Sequence, residues 1–73
     1  MPAPVLGNRM KEHRARCGLT QAELAAQVGV TRKTINTVEN RVFIPSTLLA
    51  LKLAKALGAG VEDVFFLDDQ LSE

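Results

Sequence analysis

The chain has 73 residues, of which 47% are hydrophobic, 4% aromatic and 23% charged, and its formal net charge at pH 7 is +1. This length predicts one small domain, spanning residues 1–73, with an aliphatic core. One histidine, one cysteine and no tyrosine or tryptophan provide neither the convergent polar groups of an enzyme nor a cluster of metal ligands, so we expect no catalysis, no metal and no cofactor.

Apolar residues recur at spacings of three and four from Leu6 to Phe65, with no sustained period-two alternation and no Asn-Gly or Asp-Gly hairpin turn. This pattern predicts an all-α fold, a compact arrangement of five helices. The predicted helices are, in chain order, about Leu6 to Cys17, Gln21 to Val28, the segment that follows Thr31, the segment that follows Ser46 and ends before Gly58, and about Val61 to Leu67.

The first predicted helix contains the single cysteine and the single histidine of the chain. Cys17 lies seven residues after Met10, two helical turns along the same face, and free cysteines are often buried, so we predict a core position for it. His13 falls on the polar side among charged residues, and we expect it at the surface, with a phosphate contact as the alternative.

The segment from Thr20 to Asn40 predicts two short helices joined by a glycine turn. Thr20 and Glu23 form the pattern of a capping box, and Gly29 stands where a left-handed residue ends a helix. Thr31 is a second N-cap. Apolar side chains at Ile35 and Val38 predict a buried face, and four polar side chains face away from it: Arg32, Lys33, Asn36 and Thr37. This is the layout of a helix-turn-helix that reads DNA.

The fourth predicted helix has a wide apolar stripe, formed by Leu49, Ala50, Leu53, Ala54 and Leu57. Leu48 and Leu51 lie outside the stripe, and Phe66 and Leu67 follow downstream. These side chains exceed what one small core hides, so residues of about 46–69 are predicted to form a homodimer interface that contains Leu48, Leu51, Phe66 and Leu67. The alternative is that Phe66 and Leu67 fold back onto the core of their own chain.

Charge is distributed unevenly along the chain. From Met1 to Ile44 there are seven lysines and arginines against three acidic residues, and from Pro45 to Glu73 there are two against five. A basic half that contains the predicted reading helix favours a partner rich in phosphate, although segregation by chance is the alternative. No apolar run approaches the roughly 20 residues that span a bilayer, and Met1 to Leu6 is short and uncharged for a signal peptide. We therefore expect a cytoplasmic protein.

The ordered motifs GLTQAELA, TRKTINTVEN and LALKLAKALG, with Gly29 and Pro45 between them, resemble the phage repressor and Cro type of helix-turn-helix, also called the XRE family. The resemblance extends over nearly the whole chain. It implies a repressor-like DNA-binding domain whose second helix crosses the DNA backbone while the third helix lies in the major groove.

The resemblance also implies roles for individual residues. Gln21, at the positive end of the second helix, matches a phosphate-clamping glutamine, and Thr20 and Asn40 match neighbouring backbone contacts. We expect Arg9 and Arg41 to add phosphate contacts. The base-reading positions are occupied by Arg32, Lys33, Asn36 and Thr37, of which the cations suit guanine, the asparagine suits adenine and the threonine methyl suits thymine. Solvated surface side chains are the alternative for all four.

Four further positions follow from the comparison with the family pattern. Arg14 and Glu39 match residues that form an internal ion pair, with two independent surface charges as the alternative. Arg41 stands where many relatives have glycine, so the left-handed residue after the third helix has to be Asn40 or Arg41. Gly60 replaces a better N-cap before the last helix.

These observations predict a sequence-specific transcriptional regulator, a repressor-type protein that binds an inverted-repeat operator in double-stranded DNA as a homodimer. The alternative is an antitoxin or another protein-interaction module whose main partner is a second protein, because a fold alone does not fix a function.

Overall fold

A computed structural model describes residues 5–68 of the chain. Within this range the elements are, in order, β1 (Val5–Asn8), α1 (Met10–Arg16), α2 (Gln21–Val28), α3 (Arg32–Glu39), α4 (Thr47–Ala56), α5 (Val61–Val64) and β2 (Phe65–Asp68). The five predicted helices are present, but the prediction of an all-α fold is wrong, because the described residues include two strands. Residues 1–4 and 69–73, which belong to the predicted domain, lie outside the described residues.

The two strands form a small antiparallel sheet that joins the ends of the described chain. Gly7 lies opposite Phe66, and Val5 lies opposite Asp68. The predicted first helix therefore begins at Met10 rather than near Leu6, and the predicted last helix ends at Val64 rather than Leu67. Strands of four residues are too short to show a periodicity of two, so only their pairing distinguishes them from helix ends.

The core is aliphatic, as predicted. Its fully buried side chains are Met10, Leu24, Ile35, Val38, Leu53 and Val64. Helix α2 packs against α3 and α4, and α4 packs against α5. Ala25 is 3% exposed, and its small side chain allows α3 to cross closely over α2. The predicted stripe of α4 is confirmed, because Leu53 and Ala54 are buried while Leu49 and Ala50 pack against the core.

Local side-chain caps define where the three central helices begin. The Thr20 hydroxyl accepts a hydrogen bond from the Glu23 amide at 3.0 Å, and the Glu23 carboxylate accepts one from the Thr20 amide at 2.8 Å. Thr31 and Ser46 cap α3 and α4 in the same manner, with hydroxyl-to-amide distances of 3.2 and 3.1 Å. Helix α2 ends at Gly29, whose φ of 78° is left-handed. These caps satisfy backbone groups that helix ends leave free.

The predicted core position of Cys17 is wrong, because this side chain is exposed. Its Sγ donates a weak hydrogen bond to the Leu57 carbonyl oxygen at 3.4 Å. Within α1, Met10 is the only buried residue, and Cys17 follows the last residue of the helix. A spacing of seven residues aligns two side chains on one face but does not determine how far the core extends along that face. His13 is half-buried on the same helix.

Candidate nucleic-acid interface

Helix α3 has one face in the core and one face in solvent. Ile35 and Val38 are 0% and 1% exposed and anchor the helix against α2. Arg32 and Lys33 are exposed at its N-terminal end. Because the buried face is fixed by packing, the outer face is presented on a rigid element rather than on a loop.

The other two predicted base-reading residues are half-buried farther along α3. The Asn36 side-chain oxygen accepts a hydrogen bond from the Asn40 amide group at 3.2 Å. The Thr37 hydroxyl donates to the Thr34 carbonyl oxygen at 2.9 Å. Thr37 therefore uses its hydroxyl hydrogen within the helix. Its methyl group and its hydroxyl oxygen remain for contacts outside the helix.

Arg14 and Glu39 lie together as an ion pair that joins α1 to α3. The Arg14 Nε donates to Glu39 Oε2 at 2.8 Å and the Arg14 Nη2 donates to Oε1 at 3.3 Å. The two side chains are 15% and 6% exposed. Arg14 also donates to the Leu19 carbonyl oxygen at 3.0 Å. Since both side chains are largely removed from water, the two hydrogen bonds between them replace much of the hydration that each charge has lost.

Gln21 extends this pair into a longer series of hydrogen bonds, which was not predicted from the sequence. Its Nε2 donates to Glu39 Oε1 at 2.9 Å, and its Oε1 accepts a hydrogen bond from Arg32 Nη1 at 3.0 Å. The series of hydrogen bonds therefore runs from Arg14 through Glu39 and Gln21 to Arg32. It joins the first residue of α2, whose backbone amide lies at the positive end of that helix, to the first residue of α3.

The turn after α3 places Arg41 in the left-handed region, with a φ of 63°. Asn40 keeps a φ of −89°, so the choice left open between these two residues falls on Arg41. The Arg41 side chain donates to the Asp68 carboxylate at 2.6 Å. The two side chains are 40% and 34% exposed, and an ion pair so accessible to water is easily exchanged for another anion. Asp68 was not predicted to take part.

Arg9 stacks on an aromatic ring near the sheet. Its guanidinium carbon lies 4.3 Å from the centroid of the Phe66 ring. The same ring lies against Gly7, where an added Cβ would come within 2.5 Å of it. Phe66 is therefore half-buried within its own chain, and Arg9, which lies over the face of the ring, remains exposed.

Several large apolar side chains are exposed. On α4, Leu48 and Leu51 are 66% and 51% exposed, and Leu67 on β2 is 76% exposed. A second group, which was not predicted, lies in the loop after α3, where Val42, Phe43 and Ile44 are 76%, 47% and 71% exposed. Their only sequence signal is three successive apolar residues outside any periodic pattern.

Among residues 5–68 there is no group of histidine, cysteine and acidic side chains that could hold a metal ion, and every buried side-chain nitrogen and oxygen has a hydrogen-bond partner. In the same range no helix is long and apolar enough to cross a membrane.

Comparisons with known proteins agree with this arrangement. A family model described as helix-turn-helix matches residues 10–64. YgzD of Bacillus subtilis, an uncharacterized HTH-type transcriptional regulator, is 48% identical over 63 residues, which cover 86% of this chain and 96% of that relative. The P22 c2 repressor, solved in complex with a synthetic operator, is 30% identical with a TM-score of 0.71. The match covers 74% of this chain and 82% of the repressor chain.

A second solved structure is the restriction-modification controller protein C.AhdI from Aeromonas hydrophila, which is 34% identical with a TM-score of 0.71 over 75% of this chain and 80% of its own. The matched residues include α2 and α3 in full, with their caps and the intervening glycine. The chain therefore belongs to the XRE-type helix-turn-helix family and is a DNA-binding transcriptional regulator.

Proposed function

We propose that this regulator recognises a specific inverted-repeat operator as a homodimer, with α3 in the major groove of each half-site. The observation that carries the proposal is the two-sided character of α3. Ile35 and Val38 are fully buried, while Arg32 and Lys33 are exposed at the end that follows the N-cap. A recognition helix contacts base edges with residues near its N-terminus, which is where these two cations stand.

In this proposal four side chains of α3 read the bases, namely Arg32, Lys33, Asn36 and Thr37. The two cations suit the O6 and N7 acceptors of guanine, the asparagine amide suits adenine and the threonine methyl suits thymine. Because Gln21 accepts a hydrogen bond from Arg32, the first reading residue is positioned from the neighbouring helix. Each good bidentate contact contributes about 1 to 3 kcal/mol of discrimination between bases.

Phosphate contacts in the proposal come from both ends of the motif. Thr20 and Gln21 lie at the N-terminus of α2, where free amides and the helix dipole favour an anion. Asn40 and Arg41 follow α3, and Arg9 lies exposed beside the sheet. Arg41 exchanges its exposed Asp68 partner for a phosphate when DNA is present. We therefore expect Arg41→Ala to reduce the slope of log affinity against log salt concentration by about 1.

The proposed homodimer buries the exposed leucines of α4 and β2. Leu48, Leu51 and Leu67 are each more than half exposed, and their burial against a second copy stabilises a small domain by about 25 cal/mol per Å² of apolar surface. Phe66 packs against Gly7 of its own chain and is half-buried there. A two-fold dimer presents its two α3 helices roughly 34 to 36 Å apart, one turn of B-DNA, and this geometry requires an inverted repeat.

Selection of bound sequences from a random duplex pool tests the DNA part of the proposal. We expect an enriched inverted repeat whose half-site centres are about 10 base pairs apart. A pool without enrichment after repeated rounds, or an enriched sequence without two-fold symmetry, contradicts the proposal. The selected duplex also supplies the probe for every binding measurement below.

Sedimentation tests the dimer. The variant Leu51→Lys with Leu67→Lys changes two exposed side chains, so we expect it to keep its helix content, to sediment as a monomer and to bind the operator more weakly. Thr47→Lys is the control, because it introduces a lysine at another exposed position of α4 without removing an exposed leucine. A wild-type protein that is monomeric at micromolar concentration, both free and on the operator, refutes the homodimer.

The exposed leucines also favour a second candidate function, in which the main partner is a different protein, as in an antitoxin. The two functions differ in what purifies with the chain from its native cells. A stoichiometric second protein that dissociates from the Leu51→Lys, Leu67→Lys variant supports the second candidate. Operator binding by the purified homodimer alone supports the first.

A further inference from the structure

An open cleft lies between the outer face of α3 and the loop that follows this helix. Its lining residues are Lys33, Thr34, Thr37, Val42 and Phe43. The loop is fixed in place by its backbone, because the amides of Val42 and Phe43 both donate to the Thr37 carbonyl oxygen, at 2.9 and 3.1 Å. The two apolar side chains are therefore held beside the predicted base-reading positions.

The chemistry of the cleft is apolar with one positive charge. Val42 and Phe43 remain 76% and 47% exposed, so they contribute open hydrocarbon surface. The Thr37 hydroxyl donates to the Thr34 carbonyl oxygen, so Thr37 offers the cleft its methyl group and an acceptor oxygen but no free hydroxyl hydrogen. Lys33 supplies an exposed ammonium group. The lining offers hydrogen bonds through Lys33 and the two threonine hydroxyl oxygens, and its remaining surface, formed by Val42, Phe43 and the threonine methyl groups, fits a small apolar group.

The position of the cleft determines what covers it. Three of its five lining residues belong to α3, so DNA that is read by α3 also approaches the cleft. The positive charge of Lys33 complements the phosphates and the guanine acceptors of such DNA. In the major groove, the apolar group on base edges is the methyl at C5 of a pyrimidine, as in thymine.

We propose that this cleft binds the C5-methyl group of a pyrimidine in the major groove, and that Val42 and Phe43 determine specificity from outside the reading helix. The inference rests on the proposed function, since it requires α3 to dock in the major groove. It adds to that function a contact from the loop after α3. Thymine and 5-methylcytosine carry the same methyl group, and the experiment distinguishes them.

Deletion of single methyl groups from the selected duplex tests the proposal. Each thymine is replaced in turn by deoxyuridine, which removes the methyl and leaves the base-pairing edge unchanged. At one thymine in each half-site we expect wild-type affinity to fall about fourfold, the equivalent of about 0.8 kcal/mol for one buried methyl. Val42→Ala and Phe43→Ala still bind the thymine duplex but lose most of this preference.

Ile44→Ala is the matched control. Ile44 is the next residue of the same loop and is 71% exposed, but it does not line this cleft, so its preference for thymine over deoxyuridine stays at the wild-type value. At the same position, a duplex with 5-methylcytosine is compared with one that has cytosine. Tighter binding of the methylated duplex assigns the cleft to any C5-methylpyrimidine, and equal binding assigns it to thymine alone.

Two results overturn the proposal. One is a wild-type protein that is indifferent to every deoxyuridine replacement. The other is a preference for thymine over deoxyuridine that is the same in Val42→Ala and Phe43→Ala as in the wild type. If these variants also lose the dimer in sedimentation, the cleft is a protein contact instead. A random pool without enrichment removes the proposed function together with this inference, whereas an enriched duplex without methyl dependence removes this inference alone.

Discussion

Replacement of Glu39 by alanine removes the acceptor at the centre of the series of hydrogen bonds between α1, α2 and α3. Glu39 accepts two hydrogen bonds from Arg14 and one from Gln21, at 2.8, 3.3 and 2.9 Å. The Arg14 side chain is 15% exposed, so its charge is left largely without water when the carboxylate is lost. Arg14 retains its bond to the Leu19 carbonyl oxygen, which leaves most of its donors unsatisfied.

The expected loss of stability follows from this burial. Breaking a buried pair costs about 3 to 5 kcal/mol, while breaking an exposed one costs under about 1 kcal/mol. The partial exposure of Arg14 indicates the lower end of the first range, about 3 kcal/mol. Domains of this size have a total stability of roughly 4 to 11 kcal/mol, so Glu39→Ala removes a large fraction of it. Glu39→Gln keeps the shape of the side chain and loses less.

Urea unfolding followed by circular dichroism measures the effect. With a slope near 1 kcal/mol per molar urea, typical of the smallest domains, the midpoint falls by about 3 M. Arg16→Ala is the control, because it removes an exposed arginine from the same helix. In a double-mutant cycle, Arg14→Ala and Glu39→Ala together lose less than the sum of the two single losses. A loss under about 1 kcal/mol for Glu39→Ala, or additive losses in the cycle, refutes the reasoning.

Three further predictions concern the fold. Gly7→Ala places a Cβ 2.5 Å from the Phe66 ring and costs about 1 to 3 kcal/mol in urea unfolding, and a smaller cost in a Phe66→Leu background attributes the effect to the ring. Arg41 has a left-handed backbone at φ 63°, so we expect Arg41→Gly to leave the free energy of unfolding equal or higher and Arg41→Val to lower it by about 1 to 2 kcal/mol. A valine variant more stable than the glycine variant contradicts the left-handed conformation at this position. Cys17 is exposed, so we expect a thiol reagent to modify the folded protein at a rate within about tenfold of its rate for the urea-unfolded chain. Full protection of the thiol in the folded protein contradicts the exposed position.

The parts of the fold that follow from local chemistry were predictable. Thr20, Thr31 and Ser46 stand before helices whose first turns need an acceptor, and a cap depends on residues within three positions along the chain. Gly29 ends α2 for an equally local reason, its positive φ. The apolar spacing of α3 and α4 also identified their buried faces, because a helix repeats every 3.6 residues whatever it packs against.

The sheet and the position of Cys17 depend on contacts between distant parts of the chain. Strands β1 and β2 come from opposite ends of the described residues, and Gly7 accommodates the Phe66 ring only after the two are paired. Nothing near either segment indicates this pairing. For Cys17 the face of the helix was predicted, but the distance over which the core follows that face depends on how α1 is placed.

The candidate site was predictable as a surface, and the resemblance to the family implied the Arg14–Glu39 pair that the structure contains, but the other contacts of the site were not predictable. An amphipathic α3 that follows a capped α2 identifies which side chains face outward. The bonds from Gln21 to Arg32 and from Arg41 to Asp68 require particular rotamers and, in the second case, the end of a strand. Val42 and Phe43 carried no periodic signal, and their place beside Thr37 depends on how the loop turns back onto the helix.

The central claim is that α3 reads base sequence, and the measurement that tests it most directly is the ratio of affinities for the selected operator and for unrelated DNA. Arg32→Ala removes a reading side chain, so we expect this ratio to fall about 5- to 150-fold, the equivalent of about 1 to 3 kcal/mol, with the loss confined to particular base pairs in a set of singly substituted operators. Lys11→Ala removes the same charge from the exposed surface of α1, so any loss of affinity it causes is the same for both duplexes and leaves the ratio unchanged. A ratio for Arg32→Ala and for Lys33→Ala that equals the wild-type ratio would contradict the claim.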